Sequence, residues 1–336
     1  MSRTGLTSRG VALAQRLARS GPGRRLAEAM RDDAPEELFD DWLVPYFDER
    51  LSQLDAACAG AGPEAFPLFR DLDDDVWALL LSRQYKRYPN IRALLPELPE
   101  KSLQLRWNGA AGLQLMNQGK SFYVKAKQGY SRHSTTDLPA SRVLDFGCGW
   151  GRLTRFFACD VAAGALFGCD PVEEILDVCR RLRVPATLAR CDFVPERLPF
   201  EERFDLVFSF SVFTHISEAA HEACLRAIHA ALKPGGILIV TIRSPAYLGH
   251  SEPMRPLLES LGPDPLAAVA EPRYLFVPHA AEPGHPQYHG GEMTYGETVI
   301  SLPYIERRWA PLFELLDVSL LTEDLHQVVV TLRRSG

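Results

Sequence analysis

The sequence predicts an α/β fold, a mostly parallel sheet preceded by a helical region. Three observations carry that expectation. An apolar run at 143–146 holds an acidic residue, Asp145, and enters three alternating glycines, Gly147, Gly149 and Gly151, before an amphipathic segment at 153–158. A second apolar run at 165–169 ends in Asp170, nineteen residues beyond Gly151. Near the end of the chain, strand-like runs at 313–321 and 327–332 flank a polar turn around Glu323 and Asp324. So short a connection favours an antiparallel hairpin, because a parallel return needs a helix-length crossover.

The chain opens differently. Residues 1–27 contain arginines and no acidic residue, lack a continuous apolar stretch, and are interrupted by Pro22-Gly23. Residues 1–34 are therefore expected to form a flexible or docking arm, with an organellar presequence as the alternative. Residues 35–138 are expected to be helical: 35–58 and 72–88 are amphipathic, with aromatic anchors at Phe39, Trp42, Phe47 and Trp77. These helices are a candidate surface for homo-oligomer formation.

The core is placed at 139–336. Residues 204–210 form an apolar run broken by Asp205, as a buried parallel strand does. Residues 211–216 cross into a helix starting near Ser217, with Ala219, Cys224, Leu225, Ile228 and Leu232 on its apolar side. Lys233-Pro234-Gly235-Gly236 stops that helix and turns the chain into a strand at 237–242, an architectural role. The interval 243–300, rich in proline, glycine, histidine and tyrosine, is too long for a simple connection and is expected to be a substrate-loop insertion.

Composition narrows the function. An apolar content of 46% suffices for a buried core, and no apolar run reaches the roughly 20 residues that span a bilayer. A net charge of −6 disfavours extended nucleic-acid binding. Seven cysteines without a paired spacing fit buried thiols in a reducing cytoplasm, and no metal centre is expected.

The glycine run points to a nucleotide-like ligand. Glycines at this spacing allow a sharp turn and leave amides bare at a helix N-terminus, and an acidic residue ending the second strand suits both hydroxyls of a ribose. A dinucleotide fingerprint has a third glycine where this chain has Arg152. Asp145 instead stands where a carboxylate accepts a hydrogen bond from an ammonium group. The implied ligand carries an ammonium and a ribose.

The segments VLDFGCGWGR, LFGCDP, LPFEERFDLVFSFSVFTHIS and LKPGGILIVT, at 143–152, 166–171, 198–217 and 232–241, occur in this order. With them the chain resembles the class I S-adenosylmethionine-dependent methyltransferases over roughly residues 120–333. The resemblance implies a Rossmann-like seven-stranded sheet of order 3-2-1-4-5-7-6 with an antiparallel final strand, and S-adenosyl-L-methionine as cofactor. It implies that Asp145, Gly147 and Gly149 surround the methionine portion, that Asp170 binds ribose, and that Asp192 and Phe193 reach the adenine. Cys148, Gly151, Pro171, Ser209, Phe210 and Ser211 complete the expected cofactor site. Arg152 meets the cofactor carboxylate or makes a salt bridge. The GCGWGR and SVFTH wording is most similar to bacterial branches found with glycan and specialised-metabolite pathways.

The resemblance also places a lid ahead of the first strand, for which Phe122, Tyr123 and Tyr130 are candidates, with ordinary helix packing as the alternative. His279, His285 and His289 are candidate substrate contacts. His215, after the fourth strand, is the candidate catalytic residue, either as a base or in a positional role. The expected reaction is methyl transfer to oxygen or nitrogen of a small-molecule or glycan acceptor. A catalytically silent cofactor-binding protein and an NAD-dependent oxidoreductase are the other readings.

Overall fold

The computed structural model describes residues 39–280, 287–289 and 291–336. The expected arm at 1–34 and His285 lie outside the described residues. Among the described residues, five α-helices precede the sheet: α1 (Asp40–Ala57), α2 (Asp74–Ser82), α3 (Pro89–Leu94), α4 (Lys101–Asn108) and α5 (Gly112–His133). Asp73 caps α2 by accepting the Asp75 amide at 2.8 Å. Gly109, in the left-handed region at φ 71°, ends α4 and turns the chain toward α5.

Seven strands form one sheet: β1 (Val143–Phe146), β2 (Leu166–Asp170), β3 (Thr187–Arg190), β4 (Phe204–Ser209), β5 (Leu232–Arg243), β10 (Phe313–Leu320) and β11 (Gln327–Arg334). Their order is β3-β2-β1-β4-β5-β11-β10. β11 runs antiparallel to both neighbours while β1 to β5 pair in parallel, which is the expected order 3-2-1-4-5-7-6. Between β5 and β10 lie two small antiparallel pairs, β6 (Tyr274–Pro278) with β9 (Gly296–Ile300) and β7 (Tyr288–His289) with β8 (Glu292–Met293).

The central strands read as unbroken apolar runs because both faces are covered. Val143, Leu206, Phe208 and Ile239 enter one buried cluster, with α5 and the helices before it. Leu144, Phe146, Val207 and Val240 enter the other, with helix α8 (Glu218–Ala231). Successive residues alternate between the two layers, as the period of a strand requires. On α8 the buried residues are Ala220, His221, Cys224, Leu225 and Ile228. Ala219, expected on that face, is exposed, so the apolar stripe begins one residue later.

The Lys233–Gly236 turn departs from expectation in one respect. It is counted within β5 as a bulge, where the register steps from Phe204↔Leu232 to Leu206↔Ile237. Gly235 takes φ 72° there, and Lys233 Nζ reaches back to both oxygens of Asp205 at 2.8 and 2.7 Å. That ion pair, with the Arg142 amide at 2.8 Å, satisfies the acidic residue interrupting β4.

Helix α5 joins the helical region to the sheet. Leu115, Gly119, Phe122, Ala126 and Tyr130 form its buried stripe. The Phe122 ring lies 5.1 Å from Phe210 and 6.1 Å from Phe208. A Cβ on Gly129 would stand 2.9 Å from Thr331 Oγ1, so helix and β11 approach closely. Tyr123 donates to buried Asp160 at 2.6 Å and accepts from Lys127 Nζ at 2.9 Å. Removing that hydroxyl deprives Asp160 of its closest donor. Tyr123→Phe is expected to lower stability by about 1–3 kcal/mol in urea unfolding, and an unchanged midpoint would show that Lys127 alone satisfies the carboxylate.

Candidate active site

A cavity of about 600 Å³ opens at the carboxyl ends of β1, β2, β4 and β5. Open α/β sheets place ligands at this edge. Its walls include Asp145, Gly147, Cys148, Gly149 and Arg152 from the first strand and turn, and Asp170 and Pro171 from the second. Asp192, Phe193, Phe210, Ser211 and His215 also line it. Most of the expected cofactor residues therefore face one space.

The glycine turn works differently from the expectation that its amides stay bare. Gly147 and Cys148 donate their amides to Cys169 O at 2.8 and 3.0 Å, and Gly151 donates to Cys148 O at 2.9 Å. Gly149 donates to Asp170 Oδ2 at 3.0 Å. These four amides are spent on acceptors in β2 and in the turn itself, and the following helix, α6 (Thr154–Phe157), is only one turn long. What the glycines supply is backbone shape: φ is 76° at Gly147, 54° at Gly149 and 78° at Gly151. A Cβ on Gly147 would fall 2.3 Å from Val212. Gly151 is a packing position and does not line the cavity, since a Cβ there would meet Val184 at 2.7 Å and Cys179 at 2.8 Å.

Two carboxylates stand at adjacent strand tips. Asp170 takes one amide on each oxygen, Gly149 on Oδ2 and Val172 on Oδ1, both at 3.0 Å. Each oxygen retains a lone pair for a ligand. Burial nonetheless pushes its pKa up to about 6. Asp145 accepts the Thr154 hydroxyl at 2.6 Å. Burial pushes its pKa up to about 7, opposed by Thr154 and reinforced by Asp170. Arg152 is buried with its guanidinium 4.9 Å from the Phe210 ring and donates weakly to Leu115 O at 3.4 Å. Burial draws its pKa down to about 10.

Ser209 is not a wall residue: its hydroxyl is fully buried and donates to Phe146 O at 2.8 Å. Ser211 is held at φ 62°, with its amide on Thr241 Oγ1 at 2.8 Å and its hydroxyl accepting from Gln327 Nε2 at 3.1 Å.

The aromatic lid requires correction. Phe122, Tyr123 and Tyr130 have no exposed surface and do not line the cavity. They occupy the inward stripe of α5, where Tyr130 pairs with Ser141 Oγ at 2.6 Å. The segment before β1 covers the cavity through Arg106, Trp107, Asn108 and Gln118. Trp107 lies over the glycine turn, 3.9 Å from a Cβ position on Gly149, and Asn108 accepts Trp150 Nε1 at 2.8 Å.

His215 is fixed from both sides. Its Nδ1 lies 2.9 Å from Gly296 O and its Nε2 lies 3.1 Å from Arg243 Nη2. A guanidinium only donates, so Nε2 carries the lone pair and Nδ1–H points at the carbonyl. Burial, helped by the Arg243 charge, pushes the His215 pKa down to about 4. The imidazole is neutral at physiological pH, but its one basic nitrogen is already occupied.

β9 places this histidine. The Gly296 amide donates to His215 O at 2.7 Å, Thr298 donates to Thr214 O at 3.0 Å, and the Tyr295 ring stacks on the imidazole at 5.3 Å. His279 stands behind the wall, its Nε2 3.7 Å from Glu297 Oε1, and is not a lining residue. His289 belongs to β7.

Residues 143–236 match the family model of a methyltransferase domain. The C-methyltransferase of ubiquinone and menaquinone biosynthesis from Ectopseudomonas mendocina is 37% identical over 129 residues, 36% of this chain and 46% of that protein. Trans-aconitate 2-methyltransferase from Variovorax paradoxus is 27% identical over 133 residues, 40% of this chain and 48% of that one. The chain thus spans less than half the length of either relative. Among solved structures, an S-adenosylmethionine-dependent methyltransferase from Clostridium acetobutylicum aligns with a TM-score of 0.43 at 13% identity, covering 70% of this chain and 97% of that one.

Asp145 yields a test of the site's electrostatics. Asp145→Asn keeps an acceptor for Thr154 and removes the buried charge. The native carboxyl holds its proton up to about pH 7, while the unfolded chain gives it up near pH 4. Native stability from this group therefore falls as pH rises through that window. The variant is expected to exceed the wild type by about 1–3 kcal/mol at pH 8 and to lose most of that advantage at pH 5, as read by urea unfolding at the two pH values.

Proposed function

We propose that this protein transfers a methyl group from S-adenosyl-L-methionine to oxygen or nitrogen of a small-molecule or carbohydrate-containing acceptor. The observation that carries the reading is the pair of buried carboxylates, Asp145 and Asp170, at neighbouring strand tips beside one glycine turn and one cavity. The methyltransferase-domain match over 143–236 supports it. The GCGWGR and SVFTH wording supports the glycan or specialised-metabolite setting.

The wall chemistry fits the cofactor. Asp145 provides an acceptor for its ammonium, Asp170 keeps two lone pairs for ribose hydroxyls, and Arg152 suits its carboxylate. Phe193 and Asp192 border the end where an adenine ring would lie. When bound, this cofactor supplies an electrophilic methyl on a sulfonium. The chain's share is orientation and exclusion of water, with Trp107 covering the turn and Arg243 and Tyr295 on the far wall. His215 serves as a positioning residue, because its Nε2 already accepts from Arg243. An acceptor that arrives deprotonated, such as a free amine or an oxyanion, suits such a wall.

Calorimetry with S-adenosylmethionine, S-adenosylhomocysteine and NAD, side by side, tests the reading. Binding of the first two without NAD is expected; NAD binding alone would replace methyl transfer with hydride transfer. The carboxylates also set a pH dependence. As pH rises from 5.5 to 7.5, Asp170 and then Asp145 ionise, given values of about 6 and about 7. Affinity for S-adenosylhomocysteine should rise by about tenfold across that interval. A flat profile would remove the two carboxylates from the ligand's contacts.

A further inference from the structure

The far wall of the cavity holds a cation that the cofactor reading does not use. Arg243 ends β5, lines the cavity, and has a side chain 11% exposed. In the order β5-β4-β1 it lies two strands from Asp145, roughly 10 Å across the sheet at ordinary strand spacing. It is therefore separated from Asp145 by the width of one intervening strand.

Three groups hold it. The guanidinium lies 3.9 Å from the centroid of the Tyr247 ring. Its Nη2 donates to His215 Nε2 at 3.1 Å and stands 3.5 Å from Glu297 Oε2. That Glu297 oxygen also accepts the Tyr247 hydroxyl. One nitrogen thus meets both polar neighbours, whereas the buried Nε has no hydrogen-bond partner. Buried donors of this kind are seldom left unmatched. Nearby on the same wall, Gln327 Oε1 is also buried without a partner. A guanidinium that lines the cavity and is fixed in orientation by His215, Glu297 and Tyr247 is the arrangement that receives an anionic group on a polar molecule.

We infer that Arg243 is the specificity-determining residue for the methyl acceptor, that it binds a carboxylate on that molecule, and that His215 and Glu297 hold the guanidinium in position for it. This inference rests on the cofactor reading above and goes beyond it by naming the acceptor's chemical class. A carboxylate matches the planar fork of a guanidinium, which a hydroxyl-bearing neutral sugar does not.

The test uses the full chain saturated with S-adenosylhomocysteine and titrated with benzoate, citrate, benzamide and inorganic phosphate. The expected result is binding of at least one carboxylate with a clear preference for benzoate over benzamide. Arg243→Gln should weaken the carboxylate by about 30-fold or more while changing S-adenosylhomocysteine affinity less than about twofold. His215→Ala should weaken the carboxylate in part, and His215→Gln, whose side-chain oxygen can accept from Arg243, should restore it. Melting curves and the retained S-adenosylhomocysteine affinity report that each variant is folded, and Arg243→Lys serves if the glutamine variant is not. Wild type that holds S-adenosylhomocysteine but neither carboxylate, or that prefers phosphate, overturns the inference. So does an Arg243→Gln variant that keeps the carboxylate preference, or one that stays folded but loses S-adenosylhomocysteine. Failure of the wild type to bind S-adenosylhomocysteine at all would instead overturn the proposed function.

Discussion

Two carboxylates buried side by side at the edge of a parallel sheet are the constraint around which this molecule is arranged. Taking them out of water is costly, and the fold offsets that cost with a small set of donors: two backbone amides for Asp170 and one hydroxyl for Asp145. The Gly149 amide can reach Asp170 only because the turn passes through three left-handed residues. Val212, from the loop after β4, lies where a side chain on residue 147 would be, and so requires glycine there. The shape of the glycine segment, the seating of β2 and the course of the chain after β4 are thus one problem with one solution.

The insertion solves a second problem. The loop carrying His215 has no regular partner in the main sheet, and its backbone groups are satisfied by 294–298. Ser217 takes Thr294 O, and Thr298 Oγ1 donates to Ile216 O at 2.8 Å. Gly296 lies against the β6 backbone, where a Cβ would be 2.1 Å from Val277 O. The far wall of the cavity is therefore built by a segment distant in sequence, and its precision rests on backbone pairing.

This division explains what the sequence disclosed. Asp145, the glycines and Asp170 were readable because turn chemistry is local: the residues that need one another lie within one strand-turn-helix unit and the strand beside it. The sheet order came with the family resemblance, and the shortness of the final connection gave its antiparallel end. The lid residues were misplaced because an aromatic side chain on an amphipathic helix reads alike whether it faces a core or a cavity. The stripe Leu115, Gly119, Phe122, Ala126 and Tyr130 could have settled the matter, since it puts Phe122 and Tyr130 on the inward face and leaves Gln118 at its edge. The bare-amide expectation failed because it ignored the Cys169 carbonyl, supplied by a neighbouring strand. Arg243 was visible as a charge ending an apolar strand, but its partner Glu297 lies far along the chain and inside the insertion. No local pattern links the two.

The close seat of α5 on β11 has a consequence for how the protein is made. Gly129 and Thr331 meet across the sheet, yet the ribosome delivers one about 200 residues after the other, roughly 10–40 s later at ordinary elongation rates. During that interval the inward stripe of α5 lacks part of its eventual cover, and β5 lacks the strand that will shield its outer edge. The nascent chain therefore carries an open sheet edge and an apolar helix face until β11 emerges, which makes synthesis, more than the finished fold, the stage at which this protein is exposed to aggregation and to chaperones.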